Sequence, residues 1–264
     1  MVALYVIAGA VLGFLIGLTG VGGGVVAVPV LLLLGGLEPI TAVGTAGLYS
    51  VLTKVYAAYR HANQKTINWG VSLRFLIAAL PGLMVSAFAV KYLKATLPPH
   101  GVEALQSAIS YTVIGAIAFS LAVILIDFSR LRSRFFGTAA GRALGTLGVM
   151  LIGAVMGATS VGGGILIIPA LILFYGETHK YVGSSIVIAV LLMAVMSGIY
   201  AFTGSAEHGT DVDTGIALLM AAGSLLGTHH GSTLSKRLPP RRLRFAVVGV
   251  IVLAIFMLLL DRFY

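Results

Sequence analysis

Long uncharged apolar runs alternate along this chain with short loops that hold nearly all of its charge. No side chain between Met1 and Glu38 is charged, and none is between Arg142 and Glu177. Further apolar runs cover approximately 40–59, 72–93, 105–126, 182–203, 214–234 and 244–260. About 20 helical residues cross a bilayer core, so these six runs are predicted to be crossing helices. The two uncharged stretches that open the halves each contain a glycine triplet. They are predicted to be helices interrupted at membrane depth, which is tolerable only where surrounding protein satisfies the freed backbone.

The two interruptions carry one phrase. It reads GLTGVGGGVVAVPVL from Gly17 to Leu31 and GATSVGGGILIIPAL from Gly157 to Leu171. The match continues: Ala42-Val43-Gly44-Thr45 answers Tyr181-Val182-Gly183-Ser184, Gly82 answers Gly223, and Leu97-Pro98-Pro99 answers Leu238-Pro239-Pro240. The order is kept and the offset stays between 139 and 141, so the chain reads as an internal duplication. Its halves are predicted at 1–127 and 143–264, joined by a linker at 128–142, within one integral membrane domain.

Composition sharpens the class. The chain of 264 residues is 59% hydrophobic and 9% charged, against about 25% charged in ordinary soluble domains. The net charge of +9 sits in loops, where basic residues fix orientation and attract anionic lipid, so no nucleic-acid partner is expected. There is no cysteine, hence no disulfide framework, thiol nucleophile or thiolate metal site.

Charge also predicts topology. The linker holds Arg130, Arg132, Arg134 and Arg142; another loop region holds Arg60, Lys65 and Arg74; the last loop holds Lys236, Arg237, Arg241, Arg242 and Arg244. The loop at 204–213 holds Glu207 and Asp211, with Asp213 at its end, and no lysine or arginine. The positive-inside rule puts the basic loops in the cytoplasm and the acidic one outside. Reaching 204–213 from the linker then requires an odd number of crossings. The segment 164–175 is only about 18 Å long as a helix against a core of about 30 Å. It therefore forms a re-entrant hairpin with 143–157, and 182–203 makes the single crossing. The same logic puts the N-terminus outside, makes the halves inverted repeats of one hairpin and three crossing helices, and leaves the C-terminus outside. Lys91 and Lys94 fall at the outside end of their helix, against this assignment.

At the hairpin tips the candidate chemistry is specific. Gly20, Gly22, Gly23 and Gly24 in one copy, and Gly162, Gly163 and Gly164 in the other, permit close approach of a ligand to backbone. Helices restarting after them present N–H groups without intrahelical partners and the positive end of the helix dipole, a ready anion site. Thr19, Thr159 and Ser160 add hydroxyls beside the tips; Thr45, Ser184 and Ser185, at matching positions early in the first crossing helix of each half, are expected to complete the substrate-binding shell. Packing alone accounts for one glycine triplet or one hydroxyl; two copies at symmetric positions favour a shared site. Pro29 and Pro169 fall early in the restarted helices. All eight acidic residues lie in loops or at segment ends, and an intramembrane carboxylate is the usual mark of a cation or proton path. Lys54 shares a helical face with Gly47 and Ser50, although snorkelling to the interface is its plainer role. His229-His230 could carry a proton or simply pack at an interface.

These phrases, with AVGTAGL and YVGSSIV after them, resemble the TauE/SafE sulfite exporter-like membrane transporters over essentially the whole chain. The resemblance implies a plasma (inner) membrane transporter of sulfite or a small organosulfur or sulfonate anion. Together the two lines of argument predict an all-α secondary transporter working by alternating access between opposed tips. Its partners are a small anion and the bilayer, with a proton or Na⁺ as the open choices for a coupling ion. No nucleophile–base set, paired carboxylates or metal-ligand cluster is evident, so no catalysis, metal or cofactor is expected. An anion channel, or a cation-coupled transporter of another small organic substrate, fits the same architecture.

Overall fold

The computed structural model describes residues 2–19, 23–125, 139–161, 163–175, 181–202 and 210–235, and the single positions 248, 249, 252 and 256. Nine helices stand among them: α1 (Val2–Thr19), α2 (Gly23–Leu33), α3 (Pro39–Asn63), α4 (Trp69–Thr96), α5 (Pro99–Leu125), α6 (Ala139–Thr159), α7 (Gly163–Tyr175), α8 (Tyr181–Phe202) and α9 (Thr214–Ser235). No strand occurs among the described residues. Most of the 128–142 linker and of the predicted last crossing helix lies outside them.

Local chemistry explains the ends. Pro39 and Pro99 open α3 and α5, where the missing N–H is an orphan in any case and the fixed φ suits a helix start. Asn68 caps α4, its side chain accepting from Val71 N at 3.2 Å. Asp213 does the same before α9, its Oδ1 accepting from Ile216 N at 2.8 Å. Pro29 and Pro169 lie inside α2 and α7, past the first turn, so each leaves one carbonyl near the restart without its helical donor.

Three described helices are long and apolar enough to cross a membrane: α4, α8, and α5 over Pro99–Phe119. The restarted helices, of 11 and 13 residues, reach only about 17 and 20 Å. The surface is apolar in helical stripes: Leu73, Ile77, Phe88 and Tyr92 along α4, and Leu144, Leu147 and Leu151 along α6, are exposed. Such stripes suit contact with lipid. Buried positions are also apolar, with Tyr49, Phe75, Leu83, Met156, Ile188 and Tyr200 among the most enclosed.

Packing runs crosswise between helices distant in the chain. Helix α1 packs along α9, α6 packs along α4, and α3 and α8 form the central pair. Both crosswise contacts are made by glycine. Gly9, Gly13 and Gly17 of α1 abut the backbone of Met220, Ser224 and Thr228, while Gly223, Gly227 and Gly231 of α9 abut the backbone of Val6, Ala10 and Phe14. On the other pair, Gly82 meets Met150, and Gly153 and Gly157 meet Ala79 and Leu83. In lipid, where apolar burial gives little drive between helices, such close approach supplies the dispersion contact that holds them. The paired glycines rise in the same direction along both partners, so α1 runs parallel to α9 and α6 parallel to α4. Gly157 meets Leu83 and Ser86, so α6 breaks well before α4 ends at Thr96.

Candidate functional site

The second break is described almost in full. Thr159 ends α6, and its hydroxyl donates to Val155 O at 2.6 Å and accepts from Val161 N at 3.1 Å. Ser160 takes φ +56, the left-handed region that residues other than glycine rarely adopt. That turn ends the helix, and α7 restarts at Gly163. Gly162 lies outside the described residues; Gly163 and Gly164 form the first turn of α7. The break is buried, with Thr159 at 0% and Ser160 at 1% exposure.

The central helices supply the walls. A Cβ on Gly44 would stand 3.1 Å from Tyr200 Cβ, and one on Gly183 the same distance from His61 Nδ1, so α3 and α8 run antiparallel. Gly47 opens the crossing: a Cβ there would lie 2.7 Å from Ser197 Oγ and 3.8 Å from Ser160 Oγ. Ser160 donates to Met193 Sδ at 3.6 Å, and Ser197 to Gly44 O at 3.3 Å. Tyr200 donates its phenol to Gly157 O at 3.1 Å, fastening the end of α6 to α8. Tyr49 of α3 fastens α9 in the same manner through Ser224 Oγ at 3.1 Å. The second tip thus meets Gly47, Met193 and Ser197 where the central helices cross.

Of the first tip, Thr19 ends α1 while Gly23 and Gly24 open α2; Gly20 and Gly22 lie outside the described residues. Thr45, Ser184 and Ser185 are not gathered at the second break. Thr45 Oγ1 accepts from Asp213 N and Ser184 Oγ from Asn68 N, each at 2.9 Å. They therefore hold the N-cap residues of α9 and α4, at opposite ends of the α3–α8 pair and about 24 Å apart along it. Ser185 donates to its own helix at Val182 O, 2.9 Å away.

Sequence reasoning missed an ionic cluster. The short loop before α9 folds inward, with Asp211 N donating to Tyr200 O at 3.2 Å. The Asp211 carboxylate, 4% exposed, is bound by both Lys91 Nζ and Lys94 Nζ, the latter at 2.6 Å. Lys94 also reaches Glu38 Oε2 at 3.6 Å, which accepts from Gln106 Nε2 at 3.1 Å. The out-of-place lysines were the available signal: they share one end of the bundle with the acidic loop. At the opposite end, Thr66 occupies the matching position beside Gly183, and its hydroxyl lies 2.8 Å from His61 Nδ1.

A cleft of about 520 Å³ opens between α5, α6 and α7, lined by Phe119, Leu151, Val155, Leu166 and Pro169, with Thr112 its only hydroxyl among the described residues. Its walls offer an anion almost no donor, so it is not the candidate site. Among the described residues no group of histidines and carboxylates could hold a metal ion.

A helical bundle with an apolar exterior and a buried, polar helix break defines a multi-pass membrane protein of the transporter class. Residues 5–258 match the family model described as "Sulfite exporter TauE/SafE", and the chain belongs to that family. It is 33% identical over 253 residues to the Bacillus subtilis protein named "Probable membrane transporter protein YjnA", covering 94% of this chain and 96% of that one. It is 26% identical over 274 residues to "Probable membrane transporter protein MJ0441" of Methanocaldococcus jannaschii, covering 98% and 96%. No solved structure matches it.

Proposed function

We propose that this membrane transporter moves a small anion, sulfite or a small organosulfur or sulfonate anion, by alternating access across the plasma (inner) membrane. The observation that carries this reading is the buried break at Ser160, followed by the N-terminus of α7 and walled by the hydroxyls of Ser160 and Ser197. An oxyanion offers acceptors to the N–H groups that lack intrahelical partners at the start of α7, and the helix dipole favours its charge. The family's description supports sulfite as the first substrate to try. The proposed cycle asks for binding and release only, so no side chain is assigned a catalytic role.

The substrate would contact the residues of both tips: Thr19, Gly20, Gly22, Gly23 and Gly24 from one, Thr159, Ser160, Gly162, Gly163 and Gly164 from the other. Thr45 and Ser184 become positioning residues in this reading, because they hold the caps of α9 and α4 at opposite ends of the central pair, and Ser185 stands beside Ser184. Inverted repeats at 1–127 and 143–264 would let one hairpin-bearing half rock against the other. The crosswise pairs α1–α9 and α4–α6, and the matched bonds Thr45–Asp213 and Ser184–Asn68, support that symmetry. The ionic cluster supports the predicted orientation, since it pairs the two lysines with acids at the end assigned to the outside.

Gly23→Leu and Gly163→Leu should abolish sulfite uptake or efflux in proteoliposomes while leaving membrane insertion intact. Normal flux in both variants would reject the tip site.

A further inference from the structure

Ser50 Oγ is the one buried side-chain polar atom among the described residues without a hydrogen-bond partner. Its residue is 1% exposed, and a hydroxyl so placed is costly to leave unmet. Position explains what it faces. Gly47 abuts Met196, Ser197 and Ser160, and Ser50 lies one turn further along the same face of α3. Because α3 and α8 are antiparallel, that turn is level with Met193, the acceptor of the Ser160 hydroxyl. The free hydroxyl therefore stands one turn along α3 from the Gly47 contact with Ser160, level with the residue that holds the Ser160 hydroxyl.

Lys54 follows Ser50 by four residues, so their Cβ atoms are about 5–6 Å apart on one face. It is half-buried, and no carboxylate among the described residues pairs with it. An unpaired ammonium inside a membrane bundle is expensive and usually has a ligand or a path as its counterpart. Resting on the anion reading above, we infer that Ser50 and Lys54 form the central anion subsite of the transporter. Ser50 Oγ donates to an oxygen of the bound oxyanion, and Lys54 Nζ supplies its counter-charge next to the break at Ser160. This gives the site a full positive charge in addition to the helix dipoles, and it explains both an orphaned donor and an unpaired cation with one ligand.

The test uses full-length protein purified in detergent: wild type, Ser50→Ala, Lys54→Gln and Lys54→Arg. Thermal midpoints and titration calorimetry are recorded with sulfite, methanesulfonate and chloride, each as sodium and potassium salts. Wild type should be stabilised by sulfite or methanesulfonate regardless of the cation. Ser50→Ala should keep or raise the anion-free midpoint, since it removes an unmet buried hydroxyl, yet bind about tenfold to a hundredfold more weakly. Lys54→Gln should lose the response, and Lys54→Arg should keep it within about tenfold. Wild-type binding in both Ser50→Ala and Lys54→Gln overturns the subsite while leaving the anion reading intact. Stabilisation that follows the cation, or a wild type silent to every anion, overturns the anion reading and the subsite with it.

Discussion

Asp211 shows how much one side chain can hold in this molecule. Two ammonium groups converge on its carboxylate in a site closed to solvent, and its backbone ties the loop to α8. Removing one member of a buried pair leaves the other charged and unmet, at about 3–5 kcal/mol. Asp211→Asn should accordingly lower the unfolding midpoint steeply in detergent, and the triple variant Asp211→Leu with Lys91→Met and Lys94→Met should recover most of the loss. Glu38→Gln, at a carboxylate that is 60% exposed, should cost at most about 1 kcal/mol. The residue scale also separates hydroxyls that sequence treats alike. Thr45 and Ser184 were legible as a matched pair, but their backbone partners, Asp213 and Asn68, come from distant segments. Nothing local to Thr45 or Ser184 reveals that pairing.

Helix pairing is decided by glycine. On α1 and α9 the glycines recur every four residues, which places them on one face of each helix, and the two faces meet backbone to backbone. Adding a side chain there forces the helices apart, and overpacking of this kind costs about 1–3 kcal/mol or more. Gly223→Leu and its counterpart Gly82→Leu should each reduce the yield of monodisperse protein and lower its thermal midpoint. Gly115→Leu is the control, because a Cβ there meets nothing within 4 Å; it should behave as wild type. The period of these glycines is visible in the sequence, but their partners are not. The triplets drew attention first, whereas the glycines that hold helix to helix lie outside them.

At the scale of the whole molecule, the loop before α4 and the loop before α9 belong to opposite ends of the α3–α8 pair. Absence of native cysteine makes this directly measurable. Gln64 and Thr210 are both exposed, so single Gln64→Cys and Thr210→Cys variants can be probed with a membrane-impermeant maleimide. Thr210→Cys should label in intact cells and Gln64→Cys only after lysis; labelling of both from one side would reject the odd crossing number between them. The amino-acid sequence by itself determined that the chain lives in lipid, that it is helical, and that its second glycine phrase ends one helix and starts another. Those follow from transfer free energy, helix length and local backbone freedom, all of which are sums or patterns along the chain. Tertiary structure decided which distant helices pair, that Thr45 and Ser184 hold caps, that Lys91 and Lys94 are neutralised by an inward-folded loop, and that Ser50 is buried unpartnered. These depend on distance between residues far apart in sequence, and one hydroxyl or one lysine is the same letter whether its partner is backbone, carboxylate or an incoming ion.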